Sequence, residues 1–336
     1  MERGGLMKWQ DAFIMAGHVL NARIFHVRHP LAIHWALTYR CNQKCAYCGI
    51  PDTPISELPA RQVCDMIDSF ARLGTRWIAF SGGEPLLRQD LPLIVQHAKS
   101  RKIYVTVSTN GALLPERIHD LVHADRIKLS LDGPEEIHDQ TRGKGSYKKV
   151  IKAIHLCLAN NIRVAVDCVL SRYNLAVADD VIAICQKNKI KVSFQPATAW
   201  DVHFETPASF LPPVDKYRAT IKHLISIKKR GGAIRNSVAG LQHLLSWPSP
   251  KDIPCYMCLL SFNVEPSGII SPCINKPYIP TLEEAAGQWG HTSQEIINKM
   301  RLPLSYGECW GAAIVEWSLI TSLNGNAILN YLRNGY

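Results

Sequence analysis

Three cysteines lie close together in the segment YRCNQKCAYCGIPD, residues 39–52. Cys41, Cys45 and Cys48 are separated by three and then two residues, and no histidine lies at a fitting distance. A structural zinc site usually takes four ligands, arranged as pairs. Three thiolates on one loop can instead hold three irons of a [4Fe–4S] cluster and leave the fourth iron open to a small molecule. The spacing therefore favours an iron–sulfur site that performs chemistry, with structural zinc as the alternative.

The elements that must position this loop form an alternating pattern. Between residues 31 and 196, six β-rich runs alternate with amphipathic segments, and a further helical pattern covers 214–229. This alternation predicts βαβ units and a parallel sheet. Periodicity alone does not separate a curved barrel from a flat, doubly wound sheet. The predicted strands are LAIHWALT, RWIAFSG, IYVTVSTN, RIKLSLDG, RVAVDCVLS and KVSFQPA, and the predicted helices between them are ELPARQVCDMIDSFARLG, DLPLIVQHAKSRK, LPERIHDLVHA, SYKKVIKAIHLCLANN and LAVADDVIAICQKN.

Short polar or glycine-rich motifs follow these predicted strands. The cysteine loop follows the first strand, and the others are SGGEP (81–85), STNG (108–111), SLDG (130–133) and QPA (195–197). Parallel α/β architectures place their binding groups at the carboxyl ends of strands, so we expect these motifs to lie together. Each motif on its own is also typical of an ordinary turn.

The C-x3-C-x2-C spacing after a strand, with Tyr47 just before the last cysteine, resembles the radical S-adenosylmethionine (radical SAM) enzyme superfamily. The motifs above stand in that family's order across residues 31–200. The resemblance implies an α/β fold, a partial (β/α)6 TIM-like barrel over residues 31–249. It also implies an enzyme that reductively cleaves S-adenosylmethionine (SAM) at a three-cysteine [4Fe–4S] cluster. The resulting 5′-deoxyadenosyl radical would abstract hydrogen from an unactivated C–H bond.

The resemblance also implies which residues contact SAM, and it assigns no catalytic residue beyond the cluster. The SGGEP backbone would bind the SAM amino group, because glycines allow close approach. Polar side chains of STNG and SLDG would contact the ribose and carboxylate, Arg142 in HDQTRGKGSY would reach the carboxylate, and Tyr47 would lie near the adenine. Turn chemistry, an exposed arginine and simple packing are the alternatives. The implied SAM contacts are Tyr47, Ser81, Gly82, Gly83, Glu84, Ser108, Asn110, Ser130, Asp132 and Arg142.

A second set of cysteines lies in residues 250–336, which we predict to be a separate small domain. Cys255 and Cys258 form a C-x2-C pair, Cys273 ends a predicted hairpin (FNVEPSGIISPC), and Cys309 lies in ECW. Four thiols suit a closed metal site, and the arrangement resembles the SPASM or twitch auxiliary-cluster domains of radical SAM enzymes. Four cysteines fall short of the full SPASM pattern, so the resemblance implies one auxiliary [4Fe–4S] cluster, with structural zinc as the alternative. The remaining cysteines are predicted to be small buried hydrophobic residues: Cys64, Cys157, Cys168 and Cys185.

Composition and charge limit the class of protein. The 336 residues are 47% hydrophobic, which indicates a globular chain, and the net charge of +10 favours anionic partners without choosing among them. Asp11, Asn21 and Arg23 interrupt the apolar stretch of residues 1–30, so no secretory signal or spanning helix is predicted there. Clustered cysteines in such a chain indicate metal binding in a reducing cytoplasm. Residues 1–30 are interpreted as an amphipathic helix on a membrane surface or as an arm packed on the core.

The substrate is not determined by these motifs. The mixed N-terminal segment and the basic charge favour a lipid, an isoprenoid or a phosphorylated small molecule, with an electron donor such as flavodoxin or ferredoxin. A peptide-modifying (maturase) radical SAM enzyme is the alternative within the family. A non-catalytic iron–sulfur or zinc scaffold is the alternative of another class. No separate RNA-binding module is visible, so no nucleic-acid partner is expected.

Overall fold

Six parallel strands form the frame of the protein. The computed structural model of the chain describes residues 9–26, 28–50, 54–198, 206–249, 256–271 and 309–334. Each of the six strands pairs with the next in chain order. The predicted α/β fold, a partial (β/α)6 TIM-like barrel with a C-terminal cysteine-bearing part, is therefore confirmed. The strands are β1 Ala32–Thr38, β2 Trp77–Gly82, β3 Tyr104–Thr109, β4 Arg126–Ser130, β5 Arg163–Leu170 and β6 Val192–Pro196.

Helices connect the strands and cover the outer face of the sheet. Most of the predicted helical segments are present with ends that differ by a few residues. The helices are α1 Trp9–Phe25, α2 Ala60–Arg72, α3 Leu91–Ser100, α4 Leu114–Arg117, α5 Glu135–Arg142, α6 Ser146–Ala159, α7 Ala178–Lys187, α8 Val214–Lys229, α9 Val238–Leu244, α10 Met257–Leu260, α11 Ala312–Thr321 and α12 Gly325–Asn334.

The connection between β3 and β4 is less regular than predicted. Instead of one helix, α4 is a single turn that passes into a 3₁₀ turn at Ile118–Leu121. The side chain of Arg117 explains the break, because its guanidinium donates to the backbone carbonyls of Leu86 and Arg88. It also donates to Asp120 at 2.5 Å. The connection is therefore tied to the turn after β2 rather than continued as a helix.

Alternate residues of β1 face opposite sides of the sheet, as strand geometry requires. Ile33, Trp35 and Leu37 are at most 1% exposed and belong to the core between the sheet and its helices. From α2, the ring of Phe70 meets that of Trp35 edge-on, with the centroids 6.1 Å apart. Burying one such large apolar side chain stabilises the fold by about 1.5–3 kcal/mol. His34 lies on the other face, toward the barrel interior.

The C-terminal part of the chain adds a hairpin to the sheet beside β1. β7 (Ser261–Val264) pairs in parallel with β1, and β8 (Ile270–Ser271) pairs antiparallel with β7. The described strands thus form one sheet in the order β6-β5-β4-β3-β2-β1-β7-β8. Gly268 in the intervening turn has a φ of 87°, a conformation that favours glycine. The predicted hairpin is present and continues the core sheet, while a domain division at residue 250 stays a prediction.

Helix α11 is buried around almost its whole circumference. Its first residue, Ala312, donates its N–H to Oε1 of Gln195 in β6 at 3.0 Å. Five residues later the ring of Trp317 meets that of Trp77 in β2, with the centroids 5.5 Å apart. Glu316 is fully buried and accepts the N–H of Ser237 at the start of α9 at 2.6 Å. A helix that is buried on every side is part of the core, so α11 joins β2, β6 and α9.

Helix α1 packs on the C-terminal part of the chain. Val19 and Ala22 are buried against Leu259 and Leu260 of α10. The guanidinium of Arg23 donates to the carbonyl of Thr321 at 2.9 Å and lies over the ring of Tyr256. On the opposite side, Leu20, Ile24 and Phe25 are exposed. Within the described ranges, no helix has both the length and the apolar character that a membrane span requires.

Candidate active site

The three-cysteine loop follows β1 at the carboxyl ends of the parallel strands. Cys41, Cys45 and Cys48 are each partly exposed, and none forms a disulfide. A turn brings the last two together, because the N–H of Cys48 donates to the carbonyl of Cys45 at 3.0 Å. The loop is also fixed from α5, where the carbonyl of Thr141 accepts the N–H of Ala46 at 2.9 Å. Backbone contacts therefore hold the three thiols on one side of the barrel mouth.

The SGGEP motif crosses directly beneath the cysteine loop. The N–H of Gly83 donates to the carbonyl of Thr38 at 2.7 Å, and the N–H of Glu84 donates to the carbonyl of Arg40 at 2.8 Å. A Cβ atom on Gly82 would lie 2.1 Å from the Thr38 oxygen, and one on Gly83 would lie 2.2 Å from the Arg40 oxygen. Any side chain would force the two segments apart. The glycines are thus required for the approach of the two loops to each other.

Glu84 links the SGGEP and STNG motifs. Its carboxylate is fully buried and accepts from the hydroxyl of Thr109 at 2.8 Å, the N–H of Asn110 at 2.8 Å and the N–H of Leu86 at 3.1 Å. Burial raises the pKa of Glu84, and these three donors oppose that rise. Although we predicted Glu84 as a SAM contact, its carboxylate is directed at the protein. It fixes the loop after β3 against the loop after β2.

Replacement of Glu84 by glutamine should therefore weaken both the fold and SAM binding. The amide nitrogen would face an N–H or O–H donor, which leaves buried polar groups unpaired at a cost of about 1–3 kcal/mol. We expect a lower free energy of unfolding in urea and a weaker affinity for SAM in equilibrium dialysis. Glu116→Gln, at an exposed position of α4, serves as the control and should change neither quantity. If both variants had the same free energy of unfolding and the same SAM affinity, Glu84 would not fix the two loops against each other.

The other predicted polar contacts lie around the same opening. Asn110 donates from Nδ2 to Oδ1 of Asn42 at 2.8 Å, and the same nitrogen is 3.9 Å from Sγ of Cys41. Ser81, Ser108 and Ser130 are partly exposed residues of β2, β3 and β4. All three lie at or next to the carboxyl ends of their strands, the end of the sheet at which the cysteine loop follows β1. All four remain predicted SAM contacts.

Asp132 and Arg142 are paired with each other. Nε of Arg142 donates to Oδ2 of Asp132 at 2.5 Å, and both side chains are buried. Asp132 Oδ1 also accepts the N–H of Val169 at 3.0 Å. Burial lowers the pKa of Arg142, but the charges of Asp132, Tyr47 and Cys45, together with the hydrogen bond to Asp132, outweigh this and the net shift is upward. Arg142 is thus not an exposed arginine, which was the alternative that the sequence left open.

Tyr47 and Cys45 surround the Arg142 guanidinium. That group lies over the ring of Tyr47, 5.4 Å from its centroid, and the same ring packs on Phe210 at 5.0 Å. Burial raises the pKa of Cys45 to about 11, while Arg142 acts in the opposite direction and favours the thiolate. Arg142, held in place by Asp132, therefore brings its guanidinium beside one of the three thiols.

One protein-family model matches the part of the chain that carries these motifs. Residues 35–177, which contain the cysteine loop, SGGEP, STNG, SLDG and Arg142, match the model described as the radical SAM superfamily. Residues 35–177 therefore form a radical SAM domain. The match spans the strands from β1 to β5 and the helices between them, so it covers the part of the barrel that carries the site.

Several curated radical SAM enzymes are similar to this chain. They include Fe-coproporphyrin III synthase of Methanosarcina barkeri, 31% identical over 48% of this chain and 42% of the relative. Mycofactocin maturase MftC of Mycobacterium ulcerans is 31% identical over 53% of this chain and 52% of the relative. PqqA peptide cyclase of Gluconobacter oxydans is 26% identical over 75% of this chain and 72% of the relative. The chain thus spans about half the length of the first two relatives.

Solved radical SAM structures share the fold. SuiB of Streptococcus suis bound to S-adenosylmethionine superimposes with a TM-score of 0.62 at 16% identity, covering 77% of this chain and 64% of that one. The enzyme anSMEcpe with bound AdoMet superimposes with a TM-score of 0.63 at 22% identity, covering 80% of both chains. At these identities the likeness supports the barrel architecture and nothing finer.

The family's cofactors, SAM and a [4Fe–4S] cluster, fit the residues of the first loop. Soft thiolates are the ligands that iron–sulfur clusters take, and the three thiols here are unbridged and partly exposed. Throughout the described ranges, no three Cys, His, Asp or Glu side chains converge at single-ion distances. Thiols that bind three different irons of a cluster lie farther apart than the ligands of one ion. Three soft thiolates on one loop, with no fourth ligand beside them in the sequence, suit this cluster better than a four-ligand zinc site.

The second cysteine set is described only in part. Cys309 is buried, and its carbonyl oxygen lies 3.1 Å from Nε2 of His243, whose ring stacks on Trp310. Cys258 lies in α10, of which only the backbone is described at that position, and Cys255 and Cys273 lie outside the described residues. The auxiliary ligand set therefore stays a prediction. Cys64, Cys157, Cys168 and Cys185 are buried, as predicted.

Sequence reasoning missed the residues that hold the site together. The carboxylate of Glu57 accepts the guanidinium of Arg40 at 2.8 and 3.0 Å and the hydroxyl of Thr38 at 2.5 Å, which anchors the start of the cysteine loop. Thr109 and Thr141 contribute the contacts described above. Thr38 and Arg40, just before the first cysteine, were a sequence signal for a polar anchor of the loop. Their shared partner Glu57 lies 17 residues beyond Arg40, so the sequence did not identify it.

Proposed function

We propose that this chain is a radical SAM enzyme that modifies a peptide by removing hydrogen from a C–H bond. The observation that carries the proposal is the similarity to PqqA peptide cyclase, which extends over 75% of this chain and 72% of that enzyme. The similarity to mycofactocin maturase MftC supports the same substrate class. The relatives named above include no enzyme of lipid or isoprenoid metabolism. The alternative that the sequence left open is thus favoured over a lipid or phosphorylated substrate.

The barrel interior below the cysteine loop supports a polar substrate. Nζ of Lys128 in β4 pairs with Oδ2 of Asp167 in β5 at 2.5 Å. Burial, and then the charge of Lys128, lowers the pKa of His34 to about 4, so this imidazole is neutral. Asn263 pairs with His34 across the β1–β7 ladder. Such a lining suits a group that forms hydrogen bonds better than a hydrocarbon chain.

Two acceptors in this interior lack a partner. Oδ1 of Asp167 and Oδ1 of Asn263 are buried, and no donor among the described residues reaches either of them. A buried acceptor without a donor destabilises the protein by about 1–3 kcal/mol. Lys128 carries N–H donors beyond the one directed at Asp167. The interior thus presents both donors and acceptors, which is the complement of a peptide amide.

The chain's own residues have distinct tasks in this reaction. When bound, the cluster and SAM supply the one-electron cleavage that starts hydrogen abstraction. Cys41, Cys45 and Cys48 would hold the cluster, and the SGGEP and STNG backbones would orient SAM over the barrel interior. Lys128 and Asp167 would hold the substrate amide below it. The protein thus binds, orients and excludes water around chemistry that its cofactors carry.

The reductant and the location belong to the same proposal. A reduced flavodoxin or ferredoxin would supply the electron, as in the expectation from sequence. The eight described cysteines are all without disulfides, which supports a reducing cytoplasm. The reductant arm of the following experiment tests the electron donor.

Substrate-dependent turnover separates the candidate substrate classes. The anaerobically reconstituted chain would be incubated with SAM and either dithionite or reduced flavodoxin. A synthetic peptide library, Fe-coproporphyrin III and a polyprenyl phosphate would form three separate arms. Of the three arms, we expect only the peptide arm to raise the amount of 5′-deoxyadenosine above the substrate-free level. Mass spectrometry should then show a loss of hydrogen from the peptide. Stimulation by the tetrapyrrole or the prenyl lipid, and by no peptide, would show that the proposed substrate class is wrong.

A further inference from the structure

A buried asparagine closes the turn that follows β5. Asn174 is 1% exposed and ends residues 171–174, which we call the β5 turn. Oδ1 of Asn174 accepts the N–H of Ser171 at 2.7 Å and so fixes the shape of the turn. Asparagine commonly stabilises turns in this way, so this contact alone indicates local structure only. The amide nitrogen, however, makes contacts outside the turn.

The amide nitrogen of Asn174 joins the ends of β4 and β5. Nδ2 donates to the carbonyl of Asp132, just after β4, and to the carbonyl of Val169 in β5, both at 2.8 Å. The N–H of Val169 in turn donates to Oδ1 of Asp132 at 3.0 Å. Because Asp132 is only 1% exposed, its carbonyl depends on Asn174 rather than on water for a donor. Asp132 is therefore fixed through both its carbonyl and its carboxylate.

Asp132 connects this asparagine to the cysteine loop. Oδ2 of Asp132 accepts Nε of Arg142 at 2.5 Å. The guanidinium of Arg142 lies over the ring of Tyr47 and beside Cys45. Two side chains, Asp132 and Arg142, thus separate Asn174 from the loop. Since closely packed interiors transmit a displacement rather than absorb it, a shift of Asp132 would move the guanidinium as well.

The β5 turn also reaches Tyr47 by a second route. The ring of Tyr173 packs on that of Phe210 with the centroids 5.2 Å apart, and Phe210 packs on Tyr47 at 5.0 Å. The carbonyl of Phe210 accepts the N–H of Arg172 at 3.3 Å, which ties the turn to the same residue. The turn therefore acts on Tyr47 by ring packing and on Arg142 by hydrogen bonds, and these two side chains contact each other.

We propose that Asn174 is a positioning residue for SAM binding. By holding Asp132 and the β5 turn, it keeps the predicted SAM contacts Arg142 and Tyr47 in their places beside the cysteine loop. Asn174 itself does not contact SAM, because it is buried and its acceptor oxygen and both N–H donors are used within the protein. The role is independent of the proposed peptide chemistry, since it concerns SAM and applies to any substrate.

Asn236 supplies a matched control. It is also 1% exposed, and it holds the backbone of Phe194 in β6 through the same two groups. Its Oδ1 accepts the N–H of Phe194 at 2.8 Å, and its Nδ2 donates to the carbonyl of Phe194 at 3.0 Å. Loss of either asparagine leaves buried backbone groups unpaired and should destabilise the protein. The Asn236 amide bonds to β6, whereas the Asn174 amide bonds to Asp132.

Affinity for SAM separates a positioning role from a structural one. The reconstituted chain, Asn174→Ala and Asn236→Ala would be compared by urea unfolding and by equilibrium dialysis with SAM. We expect both variants to unfold at lower urea concentrations than the unmodified chain. Asn174→Ala should in addition bind SAM about tenfold or more weakly, which is typical when the support of a binding residue is removed. Equal SAM affinity in the two variants would overturn the proposal.

Hydrogen exchange tests the connection through Asp132. In the reconstituted chain without SAM, the carboxylate of Asp132 accepts the N–H of Val169 and so protects it from exchange. We expect this amide to exchange faster in Asn174→Ala than in Asn236→Ala, because Asp132 loses the donor to its carbonyl. Exchange at Val169 that is the same in both variants would show that Asn174 does not hold Asp132 in place, and the proposal would be wrong.

Serine variants serve if an alanine variant does not fold. Asn174→Ser and Asn236→Ser each retain a hydroxyl, which can donate to one carbonyl, so the loss of stability should be smaller than with alanine. Affinity for SAM should still be lower in Asn174→Ser than in Asn236→Ser. Equal affinities, or the reverse order, would contradict the positioning role of Asn174.

Discussion

Replacing Cys41, Cys45 and Cys48 together by alanine should reduce the iron content of the reconstituted chain from about eight to about four atoms. The same variant should form no 5′-deoxyadenosine above background from SAM and dithionite. Both effects have one physical reason, because in the proposed site each thiolate would hold a different iron, and no other described cysteine lies on the loop. Iron analysis and chromatography of the SAM products provide the measurements. The remaining iron would belong to the auxiliary cluster predicted at Cys255, Cys258, Cys273 and Cys309.

Buried cysteines outside the loop supply the matched control. Cys64 lies in α2, is 9% exposed and packs as a small apolar residue. Cys64→Ala should therefore retain both the iron and the product. Cys309→Ala removes a predicted auxiliary ligand and should lose iron while the first cluster remains. Full iron in the triple variant, or equal loss in Cys64→Ala, would contradict the assignment of the first site.

The parallel strands and the motifs at their ends were predictable because both depend on local sequence. Alternating apolar residues predict a buried strand such as β1, and glycine pairs such as Gly82–Gly83 predict a turn or a close approach of the backbone to a ligand. The hairpin at β7 and β8 was predictable from its turn residues for the same reason. Its attachment to β1 was not, because a strand pairs with a partner more than two hundred residues away through backbone groups that every residue possesses.

The contacts within the site were less predictable than its location. The motif SGGEP indicates a place where backbone approaches a ligand, and Glu84 was assigned to SAM on that ground. Its carboxylate accepts three hydrogen bonds from the protein, so a SAM contact of Glu84 stays a prediction for its backbone. Arg142 and Asp132 were likewise assigned to SAM one by one. Asp132 and Arg142 pair because the end of α5 lies beside the end of β4. No local sequence pattern predicts that arrangement.

Arg142→Met should destabilise the protein by about 3–5 kcal/mol, because it leaves the carboxylate of Asp132 buried without its partner. The variant should also bind SAM more weakly, since the guanidinium lies beside Tyr47 and Cys45. Urea unfolding and equilibrium dialysis measure the two quantities. The exposed pair of Arg101 and Asp68 offers a control, and Arg101→Met should leave stability almost unchanged.

Combining Arg142→Met with Asp132→Asn separates the two roles of the arginine. The asparagine is neutral, so no charge stays buried alone, and its Oδ1 can still accept the N–H of Val169. We expect the double variant to regain most of the stability lost in Arg142→Met, which is the signature of a coupled pair.

The affinity of the double variant for SAM then shows how Arg142 acts on the site. If it recovers with stability, Arg142 acts on the site by holding Asp132 and the cysteine loop in place. If it stays low, the guanidinium contacts the SAM carboxylate directly, and the pair releases one of its donors when SAM binds. A double variant as unstable as Arg142→Met would show instead that packing of the arginine on Tyr47, rather than its charge, stabilises this end of the barrel.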